Sequence, residues 1–138
     1  MNKISIVLKP VAFFVFFMIN TFYLAGQVES NHIHIDQFGY TPLSHKVAVL
    51  SDPQIGFNAS EFYSPGSVIQ VVHKESGDIV LEGSAQEWNN GQVHNQSGDR
   101  GWWFDFSSVS SPGTYYILDK TQQLKSFDFE ISESVMMS

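Results

Sequence analysis

After Gln27 the hydrophobic residues recur with a period of two rather than 3.6, the signature of strands with one buried face. Ile33 and Ile35 alternate with His32, His34 and Asp36, and Val47 and Val49 follow Lys46. Val68–Val72 is a short apolar run with Gln70 inside it, and Ile79–Leu81 is another. Trp102, Phe104 and Phe106 alternate with Trp103, Asp105 and Ser107, while Tyr115 and Ile117 share one face. Phe127, Phe129 and Ile131 alternate with Asp128 and Glu130, the cleanest pattern in the chain, and are expected to be buried together. Each such burial contributes about 1.5–3 kcal/mol before entropy is counted.

Turn signals separate these runs: Gly39-Tyr40-Thr41-Pro42, Ser51-Asp52-Pro53, Ser64-Pro65-Gly66, Ser76-Gly77-Asp78, Asn89-Asn90-Gly91, Ser97-Gly98-Asp99 and Ser111-Pro112-Gly113. Glycine supplies positive φ and proline presets φ, so each cluster reverses the chain. About seven short strands with frequent turns predict an all-β fold, an immunoglobulin-like β-sandwich. No segment carries a convincing amphipathic helix. Tyr115 follows the Pro112-Gly113 turn and shares a face with Ile117, so its hydroxyl is expected to bond back to the backbone of that corner.

The first segment reads differently. Lys3 and Lys9 precede an almost wholly apolar run from Val11 to Leu24, after which come the small residues Ala25 and Gly26 and the polar Gln27. That order is a signal peptide's, and the run is shorter than the roughly 20 residues that span a bilayer. The expected organisation is a signal peptide over 1–26, one domain over 27–133, and a short remainder over 134–138. The protein is then secreted, periplasmic or held at the cell surface, with no membrane contact after cleavage.

Charge narrows the partners. All 14 acidic residues lie after Gly26, and loss of the leader leaves five basic residues against them. Such a surface repels nucleic acid and anionic lipid but not neutral polysaccharide. With no cysteine in the chain, disulfides and thiolate metal sites are excluded.

Few residues carry candidate chemistry. Asp99 and Asp105 form a possible carboxylate pair, but one lies in a Gly-Asp turn and the other on an outer strand face, so a structural role is expected. Trp102 shares its face with Phe104 and Phe106 and is assigned to the core with them, with Tyr115, Phe127 and Phe129. Trp103 points the other way and Trp88 lies beside a turn, so these two are the candidates for contact with carbohydrate or with another domain. His32 and His34 face the same way on a strand, yet no third ligand is identifiable. No catalytic residue, metal or cofactor is expected.

Four stretches, in order, resemble one known family. They are Ile33-His34-Ile35-Asp36-Gln37-Phe38-Gly39-Tyr40-Thr41-Pro42 with Lys46-Val47-Ala48-Val49; Gly77-Asp78-Ile79-Val80-Leu81-Glu82-Gly83; Ser97-Gly98-Asp99 running on to Asp105-Phe106-Ser107; and Pro112-Gly113-Thr114-Tyr115-Tyr116-Ile117 with Ser126-Phe127-Asp128-Phe129-Glu130-Ile131. Together they are similar to the N-terminal immunoglobulin-like domain of glycoside hydrolase family 9 cellulases. The resemblance implies a sandwich packed beside an (α/α) barrel that cleaves β-1,4-glucan with inversion, using an Asp pair for water and a Glu as acid. None of those catalytic residues can be placed on this sequence, which reads Ser132-Glu133-Ser134-Val135-Met136-Met137-Ser138 where the barrel should begin. The expectation is therefore an accessory module, inactive by itself, whose partner is the barrel and possible ligand a β-glucan. A stand-alone carbohydrate-binding module and an adhesion sandwich are the alternatives.

Overall fold

The computed structural model describes residues 26–54, 62–93 and 98–134. The expected signal peptide, apart from Gly26, and residues 135–138 lie outside them. The described residues form ten strands: β1 (Val28–Glu29), β2 (Ile33–His34), β3 (Val47–Pro53), β4 (Ile69–His73), β5 (Ile79–Gly83), β6 (Gln86–Glu87), β7 (Asp99–Asp105), β8 (Gly113–Asp119), β9 (Leu124–Lys125) and β10 (Phe129–Ile131). Among the described residues a 3-10 turn spans Asn89–Gly91. The count exceeds seven because several strands are only two residues long.

Two sheets make the sandwich. The first runs β1-β9-β8-β4-β5, with β10 also on β8; the second runs β2-β3-β7-β6. All pairs are antiparallel except β1 with β9. The core between the sheets is rich in rings and branched aliphatics: Leu50, Ile69, Val71, Trp102, Phe104, Phe106, Tyr115, Ile117, Phe129 and Ile131 are all buried. Tyr40 meets Phe106 and Phe129 edge-on, with centroids 5.2 and 5.5 Å apart. That geometry sets ring edges against ring faces, the favourable arrangement for their quadrupoles.

Two readings of the alternation are corrected. Along β3 the buried face belongs to Ala48 and Leu50, not to Val47 and Val49; Val49 is exposed. The register explains it: Ala48 pairs with Phe104 and Leu50 with Trp102, so the small Ala48 sits beside a large inward ring. The second correction concerns Phe127, which is 53% exposed rather than buried. Lys125 pairs with Leu118 but Phe129 pairs with Tyr115, so four steps on one strand face three on the other. The extra residue is a bulge, which reverses the in-and-out phase. Ser126 fills the gap: its N–H donates to Ile117 O at 2.8 Å, and its hydroxyl accepts from Ile117 N at 2.9 Å. Phe127 is thereby turned to solvent, while Phe129 and Ile131 stay inside.

The corner at Tyr115 is closed by a hydrogen bond. The buried hydroxyl donates to Ser111 O at 2.7 Å. Burial also pushes the Tyr115 phenol pKa upward.

Candidate functional site

The outer face of the second sheet collects most of the residues that the sequence marks as candidates. On β7 the residues Asp99, Gly101, Trp103 and Asp105 face away from the core, because Trp102 and Phe104 face into it. Register places His34 beside Val49, Val49 beside Trp103, and Trp103 beside Gln86 in one row across four strands. In the next row Ser51 pairs with Gly101, and the backbone N–H of Trp88 donates to Gly101 O at 2.8 Å. Trp103 is 47% exposed and lies with Trp88 along a shallow slot of about 260 Å³ that also touches Val49, Ser51, Asp99 and Gly101. Trp102, by contrast, is buried against Tyr63, edge to face at 6.3 Å, with the Arg100 guanidinium 5.4 Å from its ring centroid.

Asp99 and Asp105 do not form a catalytic pair. They stand six residues apart along one strand, about 20 Å at roughly 3.3 Å per residue. An inverting glycosidase needs roughly 6.5–9.5 Å between its carboxyls. Asp105 instead accepts a hydrogen bond from Ser107 N at 2.9 Å and contacts His45 Nε2 at 3.3 Å. The Ser107 hydrogen bonds, helped by His45, hold its carboxyl below the usual carboxylate range.

The two histidines on the neighbouring edge are committed to the fold. His32 Nδ1 lies 2.9 Å from Ser51 O and its ring stacks on Tyr63 at 4.8 Å. His34 Nε2 lies 2.9 Å from Ser51 Oγ. Desolvation by its surroundings lowers the His34 pKa, Asp99 opposes that shift, and His32 adds to it. Among the described residues no group of three or more His, Cys, Asp or Glu is placed to hold a metal ion.

Sequence reasoning missed two buried polar sites. Asp119 accepts from Tyr63 Oη at 2.9 Å, Gly66 N at 2.8 Å and Gln122 N at 3.1 Å. Gly66 is needed there, because a Cβ would fall 2.4 Å from Thr121 Cβ and 2.6 Å from an Asp119 oxygen. Lys46 is the other, with no exposed surface; its ammonium donates to Pro42 O at 2.7 Å, Ser44 O at 3.0 Å and Ser107 O at 3.4 Å. Both fasten loops to strands.

Residues 28–123 match the family model of the cellulase N-terminal Ig-like domain. The chain belongs to this family. Solved structures agree with the assignment. A metagenome-derived glycoside hydrolase family 9 endoglucanase is 29% identical with a TM-score of 0.56, over 72% of this chain and 18% of that one. A Bacteroides ovatus GH9 structure gives a TM-score of 0.60 at 22% identity, over 80% of this chain and 17% of the other. A thermostable endoglucanase from Alicyclobacillus acidocaldarius gives 0.52 at 18% identity, over 77% and 16%. The last two show the fold alone. No curated protein matches the chain. The Ig-like domain thus corresponds to under a fifth of each of these longer chains.

Proposed function

We propose that this Ig-like domain is the accessory module of an exported family 9 glycoside hydrolase acting on β-1,4-glucan, and that it works by packing against the catalytic module rather than by chemistry of its own. The carboxylates support this reading: Asp52 and Asp119 are buried and hydrogen-bonded within the fold, while Asp99 and Asp105 are too far apart to act together. The match to an N-terminal domain of longer enzymes supplies the context.

One observation carries the docking claim. Phe38 and Leu43 are 81% and 93% exposed, the two most exposed large apolar side chains among the described residues. They do not sit on a loose tip. Gly39 N donates to Asp36 O, Tyr40 N to Glu130 O, and Ser44 N to Thr41 O, while the Tyr40 hydroxyl accepts from Asp36 N at 2.8 Å. The loop that presents them is pinned to β10 through the Tyr40–Ile131 bridge, and Ser132 N donates to Tyr40 O at 3.0 Å. Two large apolar side chains this exposed, on a loop whose backbone is tied to β10, suit a contact surface. They stand on either side of Tyr40 in the chain, which pairs with the end of β10, so a module following Ile131 would start close to this loop.

Purified protein incubated with carboxymethylcellulose is the test of inactivity: no sustained release of reducing sugar is expected, and sustained release contradicts the reading. Export is tested on protein recovered outside the cytoplasm, whose mass should correspond to a chain beginning close to Gln27.

A further inference from the structure

Glycine in the middle of a strand weakens it and often marks a place that something else approaches closely. Gly101 sits in the middle of β7, paired with Ser51 on one side and facing Trp88 on the other. The fold does not need a glycine there. A Cβ at this position would meet Trp88 Cβ at 3.8 Å and Leu50 O at 4.0 Å, both ordinary contacts. Its effect is to leave a notch open on an otherwise side-chain-covered sheet.

The notch is walled mostly by apolar surface. Trp103 lies two residues along the same strand, about 7 Å away at strand spacing. Trp88 N donates to Gly101 O from the neighbouring strand side, and Val49, paired with Trp103, also lines the slot. Ser51, whose hydroxyl lies 2.9 Å from His34 Nε2, and Asp99 also line it. At about 260 Å³ the space is smaller than the roughly 300–1,000 Å³ of pockets for drug-sized ligands, so it suits one ring.

We propose that this notch binds a single uncharged pyranose ring, its apolar face against the Trp103 and Trp88 indoles and its hydroxyls toward Ser51 and Asp99. Pyranose rings join an apolar face to a rim of hydroxyls, and the notch offers indole surface for the one and Ser51 and Asp99 for the other. Asp99 in the lining and the acidic surplus of the whole chain disfavour phosphorylated or carboxylated sugars. A quaternary ammonium would want aromatic faces on several sides; among the described residues the indole surface on this slot comes from Trp103 and Trp88, Trp102 being buried. The inference goes beyond the docking reading above and does not depend on it, since the two surfaces use different residues.

The experiment is a titration of the protein with cellotetraose, and separately with choline, following the indole N–H resonances of the three tryptophans. Saturable shifts with cellotetraose are expected, largest for Trp103 and Trp88. Binding should weaken about tenfold or more in Trp103→Ala and in Gly101→Val, the latter filling the notch while its thermal melt stays that of the parent. Unshifted indoles at saturating sugar overturn the proposal, as does sugar binding that survives Gly101→Val, or a response to choline without one to cellotetraose. None of these outcomes bears on contacts at Phe38 and Leu43.

Discussion

The Tyr63 hydroxyl donates to the Asp119 carboxylate at 2.9 Å, with both residues buried. The same tyrosine donates its backbone N–H to Asp52 at 3.0 Å. Asp119 ends β8 in the first sheet and Asp52 lies on β3 in the second. One residue therefore ties the two layers together at the end of the sandwich remote from the Tyr115 corner. Removing only the hydroxyl, in Tyr63→Phe, leaves a buried carboxylate short of a donor. A loss of about 1–3 kcal/mol is expected, read from urea unfolding; an unchanged midpoint would show the bond to be incidental.

Alkaline pH should act through the same tyrosine. Burial, reinforced by the Asp119 carboxylate and its hydrogen bond, pushes the Tyr63 phenol far above its ordinary value; burial also raises Tyr40 and Tyr115. The folded state holds the protonated phenols. Their stabilisation is complete below the ordinary tyrosine pKa of about 10 and is lost as pH climbs through the raised folded values. Ultraviolet titration should show these phenolates appearing late, together with loss of the fold. All tyrosines ionising near pH 10 in a protein that stays folded would contradict it.

The bulge at Ser126 separates two phenylalanines that look alike in sequence. Phe127→Ser should change stability by no more than about 0.5 kcal/mol, as for other surface positions. Phe129→Ala should cost about 3–5 kcal/mol through lost burial and a cavity. Equal effects in thermal melts would mean that the phase shift is absent.

Lys46 should also be demanding, though less so than Phe129. Lys46→Met keeps much of the side-chain length but strips the donors from Pro42 O and Ser44 O. A destabilisation of about 1–3 kcal/mol is expected, with earlier proteolysis of the 41–45 loop. A variant as stable as the parent would show that those carbonyls find other partners.

These cases show where sequence alone was informative. The alternation over 102–106 separates Trp102 from Trp103 correctly because β7 is regular and continuously paired along β3. The same logic fails at Phe127, where one inserted residue shifts the phase, and at Val49, where the pairing partner decides which face is buried. The Tyr63–Asp119 link spans 56 residues and Lys46–Ser107 spans 61. Contacts that distant leave no local periodicity to read. Trp88 and Trp103 could be named as surface aromatics, but that both line one slot beside Gly101 depends on how β6 and the following turn lie against β7.

The central claim is that this sandwich is a docking module. The direct measurement is calorimetric unfolding of a chain in which the domain is followed by a family 9 catalytic module. One coupled transition is predicted, splitting into two when Phe38 and Leu43 are both replaced by serine. Two independent transitions in the unsubstituted protein would contradict the account.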